Sequence, residues 1–209
     1  MNWIDIYTLL GMTKQDIYTQ KMIYKAKRWG IMCDIAYASD LIEMEKQANL
    51  SHAKAMKRAV DWGEVGYVLD QDDLFDLHRM IFPDIEAAWV GDWRLGNVYI
   101  PSASVLLPDY TLVPSLMRHY LEDLQWWLCQ SEDDPYHIMA RLHLDFLRIH
   151  PFKDGNGRMS RVLLNHHAAF LGLPCIRITP DDREFYLDYL DYKDENGLAN
   201  LFEYCSVEC

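Results

Sequence analysis

The 209-residue chain has no apolar run long enough to span a bilayer, which takes about eighteen residues with few charges. Its start, Met-Asn-Trp-Ile-Asp-Ile, lacks the cationic opening and apolar stretch of a secretory signal. Cysteine is sparse: Cys33, Cys129, Cys175, Cys205 and Cys209 are scattered, odd in number, and form no Cys-x-x-Cys pair. Neither a disulfide framework nor a zinc ribbon is expected, only idle thiols in a reducing compartment, so the predicted location is cytoplasmic. Positive charge is short as well. Against 32 acids stand 20 bases, a formal net charge of −12. That balance excludes a protein built to hold a nucleic-acid duplex or an anionic membrane surface. Repeats, low-complexity tracts and Ser/Gly linkers are absent. What is present is apolar: half the residues, with aromatics at 13%, enough to fill a core and to exclude disorder.

The patterning predicts helices. Thr13-x-x-Asp16 resembles a capping box opening a helix to about Trp29, where Gly30 is a natural stop, and a second helix is expected over 32–47. Asp72 to Ile81 is amphipathic with acids first, and Pro83 closes it. Pro114 can open a helix reaching Gln130. Asp134-Pro135 introduces an apolar helix from Tyr136 to Ile149, expected to be central. Another runs from Arg158 to Phe170, and Thr179-Pro180-Asp181-Asp182 reads as a further N-terminus. Residues 97–100 and 105–107 break the rhythm as two extended pieces around a turn. The expected fold is an all-α bundle with one small β-hairpin.

The chemistry concentrates in His150-Pro151-Phe152-Lys153-Asp154-Gly155-Asn156-Gly157-Arg158-Met159-Ser160-Arg161. Two glycines let successive backbone N–H groups converge into an anion nest, at a helix N-terminus that already favours phosphate. Arg158 and Arg161, three apart on that helix, can reach one polyphosphate. A lone acid beside a nest, Asp154, is repelled by bare phosphate but suits a Mg²⁺ bridging phosphate oxygens. His150, whose ring titrates near pH 6.5 when unperturbed, suits taking a proton from a hydroxyl. An EF-hand fails, because its fifth, sixth and twelfth positions would be Arg158, Met159 and Asn165. A dinucleotide fingerprint fails too, because a helix precedes the loop and the third glycine is missing.

This segment resembles the signature of the Fic (Fic/Doc) family, His-x-Phe-x-(Asp/Glu)-Gly-Asn-Gly-Arg-x-x-Arg, at every fixed position. Similarity extends from about Asp70 to the C-terminus, through Leu77-His78-Arg79, Gly91-Asp92-Trp93-Arg94 and Arg161-Val162-Leu163-Leu164-Asn165. The resemblance implies a helical Fic core (66–209) behind an N-terminal helical region (1–65), and transfer of AMP from ATP to a Tyr, Ser or Thr hydroxyl of a protein target. It implies His150 as general base, Asp154 as Mg²⁺ ligand, and Gly155, Asn156 and Gly157 as the anion hole. Arg158 and Arg161 are implied as β- and γ-phosphate contacts and Phe152 as the apolar anchor. The hairpin at Tyr99, Ile100, Val105 and Leu106 is implied to dock a target segment by strand addition. A nucleotide-sensing module with vestigial chemistry, or the same fold with another donor, are the alternatives. Self-modification and self-association stay open.

Upstream, Ser39-Asp40-Leu41-Ile42-Glu43 resembles the family's inhibitory pattern (Ser/Thr)-x-x-x-Glu-(Gly/Asn), with Met44 in place of the last residue. Glu43 is expected to bond Arg161 and displace the γ-phosphate. The eight histidines offer no spacing that assembles a metal site, and His143, His166 and His167 are expected to be structural.

Overall fold

Residues 14–43, 50–83, 87–100 and 105–208 are described by the structure, a computed structural model; for residues 14–21, 24 and 25 this covers the backbone alone. Thr13, Met44 and the flap tip at 101–104 lie outside the described residues.

The first helix, α1 (Lys14–Ile42), runs straight through Gly30, where the sequence predicts a stop. Tertiary packing decides this. Met32, Ile35, Ala36 and Ser39 form a buried i, i+3, i+4, i+7 stripe after the glycine. Before it, Arg28 pairs with Asp61 (3.2 Å) and Glu64 (2.8 Å) on the next helix, α2 (Leu50–Glu64). Docking on both sides of Gly30 outweighs the roughly 1 kcal/mol cost of an interior glycine. The sequence reading set no bounds for α2. It packs most extensively along α6 (Asn156–Phe170). Gly63 makes that approach possible: a Cβ there would overlap the His166 carbonyl.

The remaining helices begin where short polar side chains can cap them. Asp70 and Asp73 form a reciprocal capping box for α3 (Gln71–Ile81). Asp109 caps a single 3₁₀ turn (Tyr110–Leu112) that leads into α4 (Val113–Gln130). Asp134 accepts from the N–H groups of Tyr136 and His137 at the head of α5 (Pro135–Ile149). Thr179 and Asp182 box the 3₁₀ turn (Pro180–Asp182) before α7 (Arg183–Tyr192). Asp194 caps α8 (Glu195–Tyr204).

Two apolar cores flank α6. One joins α1 to α6 and includes Met56, Leu74, Leu77, Met117, Leu124, Phe146 and Phe152. The other joins α5 to α8 and contains Leu164, Tyr186, Leu198 and Phe202, with Ile42 from the end of α1 seated in it. The helix expected to be central is α5, yet α6 is the more fully enclosed. Its buried Ser160, Arg161, Asn165, His166 and His167 disguise it as a half-polar surface helix.

Two further expectations change. The only strand pair among the described residues is β1 (Cys175–Ile176) antiparallel to β2 (Ser206–Val207), with Cys175 opposite Val207. The segments 97–100 and 105–109 carry no ladder. Side chains close their base instead, as described below. Cys175 takes part in a disulfide. Among the described residues the free thiols are Cys33, Cys129 and Cys205, and the cysteine-based case for a reducing compartment does not extend to Cys175. No described helix is long and apolar enough to cross a membrane.

Candidate active site

The loop between α5 and α6 is built on backbone constraints. His150 ends α5 in the left-handed region (φ 52°), its N–H still donating to Phe146 O at 3.0 Å. A non-glycine there is uncommon and needs its surroundings to hold it. Gly155 is also left-handed (φ 77°), and a Cβ on it would meet the Phe82 ring at 2.6 Å. Phe152 is fully buried, and its ring stacks on His78 at 3.9 Å between centroids and 7° between planes.

Asn156 closes the turn: Phe152 N–H donates to its Oδ1 and its Nδ2 donates to Phe152 O, both at 2.9 Å. Its side chain is thus committed to the loop, which leaves the backbone N–H at the head of α6 for an anion. His78 holds the other side. The Gly91 N–H donates to His78 Nδ1 at 2.9 Å, so Nε2 carries the proton and donates to Asp154 O at 3.0 Å. Burial pushes this imidazole down to about 4, which keeps it neutral in that tautomer.

His150 Nδ1 lies 3.3 Å from Leu147 O. A carbonyl only accepts, so the proton sits on Nδ1 and the Nε2 lone pair is available as a base. Burial moves its pKa below the ordinary value. The nearby Arg94 charge adds to that, while the Leu147 bond, Glu43 and Asp154 oppose it.

Arg161 is buried, held by the end of α1 and, from α7, by a hydrogen bond with Tyr186. Its Nε donates to Ser39 Oγ at 2.7 Å, and one terminal nitrogen donates to Ser39 O at 3.0 Å and to Glu43 Oε1 at 2.7 Å. The pair is lopsided in exposure, 4% for the Arg161 side chain against 40% for Glu43. Burial raises the Glu43 pKa, but Arg161, Arg158 and Arg183 outweigh it and hold the carboxyl below its ordinary range. The same turn of α1 is pinned twice more. Asp40 Oδ1 meets His52 Nδ1 at 2.7 Å, both fully buried, and Arg183 Nε donates to Ile42 O at 3.0 Å. Gly157 is what admits Glu43, since a Cβ there would overlap its carboxylate.

Two cavities meet at this point. One, of about 360 Å³, is lined by His150, Asp154, Gly155, Asn156, Gly157 and Arg158, with Tyr99 and Ile100 at its edge. The other, of about 260 Å³, is walled by Ile42, Leu144, Leu147, Val105, Leu187 and Leu190, with Arg161 and Arg183 at its floor. Glu43, Ile100, His150 and Gly157 line both. Arg158 lies with its guanidinium 4.4 Å from the Phe82 ring centroid. Of the flap residues named from sequence, Ile100 and Val105 are half-buried against these cavities, whereas Tyr99 (78% exposed), at the rim of the first, and Leu106 (97%) are largely in solvent.

For a divalent cation the donor set is thin. Asp154 is exposed, with one carboxylate oxygen accepting from Gly155 N–H at 2.6 Å, and no group of three or more His, Cys, Asp or Glu among the described residues forms a metal cage. That fits Mg²⁺, which is commonly held by one carboxylate together with phosphate and water.

Most of the signature thus lines one cavity, with Phe152 buried in the core and Arg161 in the adjoining cavity, and residues 68–168 match the model of the Fic/DOC family. The chain carries a Fic/DOC family domain over these residues. It is 31% identical over 127 residues to Protein adenylyltransferase Fic of Culex quinquefasciatus, covering 60% of this chain and 25% of that protein. The chain therefore matches about a quarter of the length of this curated relative. Among solved structures, a Fic domain containing signaling protein from Bacteroides thetaiotaomicron superposes with a TM-score of 0.70 at 22% identity, covering 85% of this chain and 80% of the other. BepC from Bartonella tribocorum, solved with AMPPNP bound, gives 0.55 at 15%, covering 79% and 90%. These two likenesses establish the Fic fold.

Sequence reasoning placed His150, Asp154, the two glycines and both arginines at one site, with Ser39 and Glu43 reaching it from 118 and more residues away. It gave no role to His78, Arg94, Arg183 or Tyr186. The first two stood inside stretches already noted for resemblance. Nothing local marks Arg183 or Tyr186, whose proximity is created by the packing of α7.

Proposed function

We propose that this Fic protein transfers AMP from ATP to a Tyr, Ser or Thr hydroxyl of a protein target and is held in check by the end of α1. The observation that carries the proposal is a single cavity lined by a Nε2-basic His150, Asp154, the Gly155–Gly157 turn and Arg158. The target hydroxyl gives its proton to His150 Nε2. Its oxygen bonds to the α-phosphorus as the bond to the bridging oxygen breaks, and pyrophosphate leaves. The N–H groups at the head of α6, with Arg158, stabilise the charge that develops. Asp154 would hold Mg²⁺, which when bound neutralises charge on the leaving pyrophosphate. The apolar second cavity suits a purine base. Names of relatives and the nucleotide held by the Bartonella protein support ATP as donor.

Glu43 occupies the guanidinium that a γ-phosphate would need, so residues 1–65 act as regulator and 66–209 as catalytic core. Replacing Glu43 by Gly is expected to raise incorporation of label from α-labelled ATP at least about tenfold, an Arg–carboxylate pair being a strong competitor for that site. Adding His150→Ala should remove transfer, by about 10²–10⁴-fold, while nucleotide still binds. Unchanged incorporation after Glu43→Gly would end the inhibitory role. ATP-dependent partner binding without transfer would point to a sensing module.

A further inference from the structure

Arg94 is among the largest fully buried side chains of the molecule, 2% exposed, and it sits between the general base and the flap. Its Nε donates to His150 O at 2.9 Å. One terminal nitrogen donates to Gly96 O at 3.1 Å, the other to Pro108 O at 2.6 Å, and its own backbone N–H donates to Pro151 O at 2.9 Å. Gly96 and Pro108 are the two feet of the flap. Its guanidinium is therefore bonded at once to the left-handed His150 and to both ends of the loop that faces the cavity. Outside it, Asn97 repeats the closure: its Nδ2 donates to Asp109 at 3.2 Å and its Oδ1 accepts from Tyr110 N–H at 2.9 Å.

We propose that Arg94 is a positioning residue that sets the His150 ring and the flap in one geometry, so that base and target segment are aligned together. Lysine cannot replace it, because an ammonium is a point charge without the planar fork that reaches three carbonyls in fixed directions. The proposal rests on the assignment of His150 as base and of 98–107 as docking flap. Its test therefore includes readouts that need no transfer.

In the full-length Glu43→Gly chain, Arg94→Lys and Arg94→Met are compared by amide exchange over 96–109, ¹⁵N signals of the His150 ring, and transfer from α-labelled ATP. Both variants are expected to speed flap exchange about tenfold. Both should slow transfer on the order of 10²-fold, as misplacement of a reacting group does. The ring separates charge from geometry. With Lys the positive charge stays and His150 titrates near its parental value. With Met the charge is gone and the titration moves up. A merely structural arginine would lower stability in both variants while transfer by the folded chain stayed parental. A folded Arg94→Lys chain with parental flap exchange and parental transfer overturns the proposal.

Should neither variant fold, Asn97→Ala decides. It opens the exposed outer closure, and the expected result is faster flap exchange accompanied by altered His150 ring signals. Faster exchange with an unaltered ring overturns the coupling. If the parent transfers no AMP, the proposed function fails, while the exchange and ring signals still decide the role of Arg94.

Discussion

Under the proposed function Glu43 is the residue on which regulation turns, and its ionisation sets when that regulation would hold. Its carboxyl lies below the ordinary value of 4.5, so the contact with Arg161 is complete above that value and is lost only as pH falls through the lower, folded one. Across neutral pH the Glu43–Arg161 pair is therefore constant. The ratio of transfer rates, Glu43→Gly over parent, is expected to stay within about twofold between about pH 6 and pH 8. A ratio that drifts steadily over that range would mean that another titrating group holds the switch. At this scale the grouping was legible: His150, Asp154, Gly155, Gly157, Arg158 and Arg161 come together through spacing along one loop and one helix turn. Asn156 was legible only in part. Its position at a helix head is a sequence property, but the commitment of its side chain to Phe152 depends on how the loop closes.

At the scale of elements, two glycines in α1 and α2 carry opposite expectations. Gly30 is helical, exposed, and has nothing within 4 Å of an added Cβ. Gly30→Ala should stabilise the chain by about 0.5–1 kcal/mol, the ordinary helix-interior difference. Gly63 faces the His166 carbonyl and Ala169 across the α2–α6 contact. Gly63→Ala should destabilise by about 1–3 kcal/mol as the helices are forced apart. Urea unfolding of both variants checks the pair, and a destabilising Gly30→Ala would contradict the continuous α1. Helix starts were the most legible elements, because Asp70, Asp134 and Thr179 act locally on their own N–H groups. The continuity of α1 was not, since it depends on Asp61 and Glu64 reaching back to Arg28. The flap misled for a similar reason. Its extended residues suit strands, but Arg94 and Asn97 close its base through side chains.

The whole molecule holds several neutral histidines out of water. Burial pushes His78 and His166 to about 4 and His143 to about 3, and it lowers His52 and His167 as well. Below the unfolded value of about 6.5 the unfolded chain binds the extra protons, so stability is full above that pH and declines toward the folded values. For His78, His143 and His166 the loss is roughly 2 kcal/mol each at about pH 5, together comparable to the stability of a domain. Thermal melts should show Tm falling steeply between about pH 7.5 and pH 5. A flat profile would mean that these rings are solvated.

By itself the sequence determined what is local: helix caps, amphipathic stripes, and a His150-to-Arg161 segment that gathers two glycines, an acid, a histidine and two arginines at one helix head. These follow from interactions between residues a few positions apart. Only the tertiary structure decided what spans the chain. It placed Ser39 and Glu43 on Arg161, set His78 under Asp154, tied Arg94 to both His150 and the flap, and gave Cys175 a disulfide. Those contacts join segments far apart in sequence, and no local propensity specifies them. They exist because α1, α2 and α6 bury their faces together, and that burial is a property of the assembled core.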